Sequence, residues 1–215
     1  MGRIILASHG LHTRLGYEVI APHLPQEMCE QGRILLITLP EYEIHTDLIF
    51  WCRILGFSEE NITVFDRKKA EEIKQEQFDV FYVSEGNTFD LLQYMRDNDL
   101  MELIREGVAN GACYIGASAG AHIAGLNVEA AIPFDKNRVG MTDFTALRLF
   151  EGVAFPHYDT YDYKRMACLR DIEKSGRYVY VPAIGDMDVE VMEEPFLQTL
   201  RETAHEKENR DEEEV

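Results

Sequence analysis

The stretch YIGASAG, Tyr114 to Gly120, places a serine between two alanines and two glycines, directly after one apolar run and directly before another. Such a serine is either a nucleophile on a strained turn or a small residue where a helix packs closely on a sheet, and the pentapeptide alone supports both. Its surroundings decide the fold. ACYIGA (112–117) is one of five short, nearly continuous apolar runs, the others being RIILAS (3–8), RILLITL (33–39), ITVF (62–65) and DVFYVS (79–84). Runs of this length without polar alternation predict strands buried on both faces. Helical patterns lie between them, the clearest being DNDLMELIREGVANG (97–111). There Leu100, Leu103, Ile104 and Val108 share a face, an aspartate is available at the start and Gly111 marks the stop. Strand and helix alternating at this spacing predict an α/β fold, a mainly parallel sheet with helices on both sides.

Beyond Gly125 the pattern loosens. Residues 126–160 read as loop-rich, followed by a helix around Tyr163–Lys174 and late strands at RYVYVPAI (177–184) and DVEVME (188–193). No repeat, linker or composition break divides the 215 residues, so one domain is expected over residues 1–200. The remainder, 201–215, carries seven acidic and three basic residues with almost no apolar ones, and is expected to be a disordered tail.

The formal net charge of −18 repels phosphates, which argues against nucleic acid or an anionic membrane as a partner. No apolar run approaches the length of a membrane span, and MGRIILASHG reads as a first strand and not a leader. Cys29, Cys52, Cys113 and Cys168 lack metal-site spacing or paired histidines, so no metal is expected and a reducing cytoplasm is.

In parallel sheets ligands bind at the carboxyl ends of the strands. SEGNTF (84–89) follows the fourth strand and GASAG (116–120) the fifth, so the site is expected between them. A serine at 118 would project from the strand tip, with the amide of Ala119 placed to meet an oxyanion. A serine needs a base. His122, one turn along the same helix, points along the helix flank, whereas His157 in VAFPHYD follows an apolar run and a proline that fixes the backbone. A carboxylate must orient that histidine, and Asp186, Asp188 and Asp143 are all candidates.

GASAGA, the upstream GNTFDLL and the downstream PHYD together resemble the peptidase E and cyanophycinase family of serine peptidases, in order and with similar gaps over residues 1–195. The resemblance implies a three-layer α/β sandwich like that of class I glutamine amidotransferases. It carries the nucleophile onto Ser118, the base onto His157 and the acid onto Asp186, where the family has a glutamate. It places the amides of Gly86 and Ala119 in an oxyanion hole, although Ser84 and Glu85 replace the first two glycines of the family's GGGNT loop. Asn87 and Tyr158, beside these positions, are assigned to substrate binding. The order Ser, His, Asp also differs from the Ser, Asp/Glu, His order of α/β-hydrolases. The expected function is therefore hydrolysis of short peptides by a dipeptidase or exopeptidase with no cofactor. The alternatives are an esterase or amidase on the same fold, or a binding protein that retains the pocket. Lys164 and Arg165 stand where an arginine-containing segment is linked to aspartyl substrates, and are read as exposed helix residues, so Asp-X specificity is not expected.

Overall fold

The computed structural model describes residues 2–42 and 44–213. Its centre is a six-stranded sheet of β1 (Ile4–Ala7), β2 (Ile34–Ile37), β3 (Ile62–Val64), β4 (Val80–Val83), β5 (Cys113–Ala117) and β8 (Val189–Met192), in the order β3-β2-β4-β5-β1-β8. All neighbouring pairs are parallel except β1 with the edge strand β8. A two-residue pair, β6 (Phe155–Pro156) and β7 (Ala183–Ile184), lies apart from it.

Alternate residues of each central strand enter different cores, which is why the runs are apolar throughout. Ile4, Leu6, Leu35, Ile37, Phe81, Val83 and Tyr114 face one cluster. This cluster also holds the buried faces of α5 (Thr88–Asp97), α6 (Leu100–Ala109) and α7 (Ala119–Ala124). Ile5, Ala7, Ile34, Leu36, Val80, Tyr82 and Ile115 face the other. There they meet α1 (Arg14–Ile20), α2 (Gln26–Gln31) and α3 (His45–Leu55). The result is the expected three-layer α/β sandwich. The short α4 (Ala70–Ile73) precedes β4, and α8 spans Tyr163–Lys174, the bounds read from the sequence.

Two local expectations fail for physical reasons. Asp99 precedes α6 in the left-handed region (φ 56°) and its side chain caps nothing, so that helix is anchored by its apolar face and by Arg105, which donates to the Ala146 and Leu147 carbonyls. The tail expected to be disordered from residue 201 is instead helical, since α9 runs from Phe196 to Glu213; residues 214–215 lie outside those described. Leu197 and Leu200 are buried at its start, and an Arg201–Glu194 ion pair, a Gln198–Glu202 bond and a Lys207 bond to the Gly176 carbonyl hold the polar side. Low apolar content was outweighed by this anchored first turn and by the polar pairs that tie the helix to itself and to the segments beside it.

Both glycines of GASAG are required by packing. A Cβ on Gly116 would meet the Gly120 carbonyl oxygen at 2.5 Å, and one on Gly120 would meet the Val83 carbonyl oxygen at 2.1 Å. Backbone cannot yield at those distances without moving α7 off the sheet. Gly120→Ala is therefore expected to lower the denaturant midpoint by the equivalent of about 2 kcal/mol or more. A midpoint unchanged in that variant would show that α7 does not sit this close to β4.

Candidate active site

The carboxyl ends of β4, β5 and β1 lie side by side, and the loops leaving them converge. Ser118 joins β5 to α7 with φ 49° and ψ −102°, a conformation that costs a non-glycine residue free energy and recurs where a side chain must be aimed. The turn is held on two sides. The Ser118 amide donates to Ala7 (2.9 Å), the Gly120 amide donates to Ser84 (3.1 Å), and the buried Tyr114 hydroxyl donates to the Gly120 carbonyl (2.7 Å).

His157 directly follows β6 and also has a left-handed backbone, φ 56°. Its Nε2 is 2.9 Å from Ser118 Oγ and its Nδ1 is 3.0 Å from Asp186 Oδ1. With the proton on Nδ1, the ring donates to the carboxylate and accepts from the hydroxyl, a continuous hydrogen-bonded chain from Ser118 to Asp186. The supports of His157 were not read from the sequence. Ser8, at the tip of β1, accepts from the His157 amide (2.8 Å) and donates to the Ile184 carbonyl (2.9 Å), so one buried hydroxyl ties together the β6 and β7 ends that carry His157 and Asp186. Arg165 donates to the Pro156 carbonyl (3.1 Å) and lies over the Phe134 ring, so it braces the histidine loop and is not a freely exposed helix residue. Lys164 is exposed and donates to the Pro133 carbonyl (2.5 Å).

Of the three carboxylates left open by the sequence, one contacts His157. Asp188 closes the turn, its amide donating to Gly185 (3.2 Å), and Asp143 pairs with Arg96 (3.4 Å). Only Asp186 among the three lies on His157. Burial alone would raise its carboxyl, but hydrogen bonds and charge from His157 and His9 outweigh that and hold it below the usual aspartate value. His9 is the participant that sequence reasoning missed. Its Nε2 lies 3.3 Å from the same Asp186 Oδ1, and its ring meets His157 edge to face at 5.3 Å. It sits just beyond β1, and the carboxyl-end rule applied to that strand would have found it.

Gly86 adopts φ 137°, and a Cβ there would strike the Tyr42 ring at 2.8 Å, so the loop admits only glycine. Ala119 is the first residue of α7, and its amide is one of the donors a helix start leaves free of intrahelical partners. Glu85, which replaces a family glycine, turns toward the loop after β1: its carboxylate accepts from the Gly10 amide (2.5 Å) and faces His12 (3.6 Å). Asn87, expected at the substrate, is instead consumed as a helix cap. Its side-chain oxygen accepts from Phe89 and Asp90 (both 3.1 Å) and its amide group donates to Lys136 (3.0 Å). Tyr158 packs against the cluster of Ala130, Phe155 and Leu169.

His122 lies buried on α7 behind Ser118, and its Nδ1 has no hydrogen-bond partner among the described residues. Burial, partly opposed by Asp135 and reinforced by His157, lowers its pKa to about 4, which makes it a weak base, and the Ser118 hydroxyl is bonded to His157 instead. Because the folded value lies below the ordinary 6.5, the unfolded chain binds this proton first as pH falls. The stability it confers is complete above about pH 6.5 and is lost toward pH 4, by up to about 3 kcal/mol. Urea midpoints at pH 7 and pH 4.5 should therefore diverge less in His122→Gln than in wild type. An equal acid loss in both would contradict a buried neutral His122.

Known proteins resemble this chain in sequence and in fold. The profile of peptidase family S51 matches residues 41–189. An uncharacterized peptidase of Listeria monocytogenes is 33% identical over 131 residues, 60% of this chain and 64% of that one. Peptidase E of Haemophilus influenzae is 38% identical over 101 residues, 46% of this chain and 44% of that one. The chain thus aligns with less than two thirds of the length of these curated relatives. A crystal structure of a Listeria monocytogenes EGD-e protein, described provisionally as a peptidase E, superposes with a TM-score of 0.67 at 24% identity. It covers 89% of this chain and 97% of that one. A peptidase from an acI-B1 actinobacterium superposes at 0.65 with 16% identity, over 89% and 83%. These two structures share the fold.

Proposed function

The chain belongs to peptidase family S51, and from that premise we propose that it hydrolyses short peptides as a serine peptidase, in the manner of a dipeptidase or exopeptidase. The observation that carries the reading is the unbroken chain Ser118 Oγ to His157 Nε2 to Asp186 Oδ1, at 2.9 and 3.0 Å, at the carboxyl end of a parallel sheet. Ser118 attacks the scissile carbonyl while His157 Nε2 takes its proton. The amides of Gly86 and Ala119 receive the oxyanion. His157 then delivers the proton to the leaving amine, and water hydrolyses the acyl-enzyme with the same histidine as base. Asp186 keeps the proton on Nδ1 and stabilises the imidazolium that forms. Ser8 and Arg165 position the histidine loop without touching the reacting atoms.

Glu85 strengthens this reading over that of a binding protein that retains the pocket. Its side chain is drawn off toward Gly10 and His12, which leaves the Gly86 backbone as the loop's contribution to the site. Cytoplasmic residence is part of the same proposal. All four cysteines are unpaired, three of them buried, and no described helix is long and apolar enough to cross a membrane. A panel of dipeptides and tripeptides with free amino termini, read by release of new amine and run beside aryl esters, tests the substrate class. Turnover of peptides at a kcat/KM above that of the esters is expected, and ester cleavage without any peptide cleavage would overturn it.

A further inference from the structure

We propose that His9, His157 and Asp186 form a binding site for a divalent transition ion of the zinc class, and that the bound ion locks the candidate triad in an inactive tautomer. The inhibition rests on the peptidase reading; the binding does not. His9 Nε2 and His157 Nδ1 lie 3.3 Å and 3.0 Å from Asp186 Oδ1, and the three ligand atoms all fall within 4.8 Å of one another. Zinc bonds of about 2.0–2.2 Å in a tetrahedron set ligand atoms about 3.3 Å apart. Two of the three spacings lie near that value, and the third, between the two histidine nitrogens, is within 4.8 Å and would shorten as both rings turn onto the ion. The side chains of His9, His157 and Asp186 are 28%, 29% and 59% exposed, so an ion has access and a fourth position remains for water. Two imidazoles with one carboxylate favour zinc, copper or nickel over magnesium and calcium, which prefer all-oxygen ligands. The ion is an inhibitor here and takes no part in the chemistry.

Its effect follows from proton positions. In the working tautomer the neutral His157 holds its proton on Nδ1 and presents a lone pair at Nε2. Coordination at Nδ1 requires that lone pair instead, so the proton moves to Nε2, and the His9 proton moves to Nδ1 as its Nε2 binds the ion. No proton leaves either neutral ring. Nε2–H now points at Ser118 Oγ as a donor, and the serine keeps its own proton with no base to remove it.

Calorimetric titration of zinc chloride into the purified full-length chain tests the site, with His9→Gln and Asp186→Asn as variants and magnesium chloride as control. One zinc per chain is expected, weakened at least about tenfold in each variant, with no heat from magnesium. In parallel, fluorophosphonate labelling of wild type should fall with half-inhibition at the calorimetric Kd and return on adding EDTA. No zinc binding to wild type, or binding in both variants as strong as in wild type, overturns the site. Zinc that binds as expected but leaves labelling unchanged overturns the lock. Zinc binding lost in the variants, in a chain that never labels even without metal, supports the site and counts against the peptidase instead.

Discussion

Ser118→Ala is expected to lower peptide turnover by roughly 10³-fold or more and to leave the fold intact. The substitution removes one oxygen, whose partner is His157 Nε2 at 2.9 Å, and nothing else in the site depends on it. The elbow at φ 49° is no more strained for alanine than for serine, because both carry a Cβ. The backbone anchors to Ala7 and Ser84 use amides that alanine retains. Stability should therefore change by less than about 1 kcal/mol. Steady-state kcat/KM on the best peptide of the panel, with a thermal scan of the same sample, checks both halves. A variant that is folded and turns over at the wild-type rate removes the serine from the chemistry.

Asp186→Asn carries the second large effect, a fall of roughly 10³–10⁴-fold in kcat at near-wild-type stability. An asparagine presents either an amide oxygen or an NH₂ group to His157 Nδ1. In the second arrangement the ring must accept at Nδ1 and so holds its proton on Nε2, where it cannot take one from Ser118. Even in the first, the negative charge that would stabilise the imidazolium is gone. Asp188→Asn is the matched control, since Asp188 lies two residues on in the same turn with its backbone amide on Gly185, and among the described residues it makes no hydrogen bond or ion pair with His157. It should stay within about tenfold of wild type. If Asp188→Asn proves the more damaging of the two, the acid has been assigned to the wrong side of the turn.

Most of the sheet was legible because buried parallel strands impose a simple demand, apolar residues on both faces. The five runs predicted from that rule contain β1 to β5, each trimmed by one to three residues at its ends. Ser118 and His157 were legible for a related reason, since each follows an apolar segment directly and marks a strand tip. β6 and β7 were less so: two residues apiece, they are held by Ser8 and by pairing with each other, which no periodicity records. His9 belongs to none of the motifs that carried the sequence reading, although it follows β1 at the same edge of the sheet as the other site residues. Asn87 was read for its neighbours and not for its place before a helix, where an asparagine oxygen meets free amides. The helix α9 escaped because composition measures average polarity, whereas its order begins at two buried leucines.

The central claim is that Ser118 is activated by His157, and the most direct measurement is the site and rate of covalent labelling by a fluorophosphonate, mapped by mass spectrometry. In wild type a single adduct is expected on the peptide containing Ser118, and His157→Ala should label far more slowly or not at all. A folded wild-type chain that takes no label, or a His157→Ala chain that labels at the wild-type rate, would contradict it.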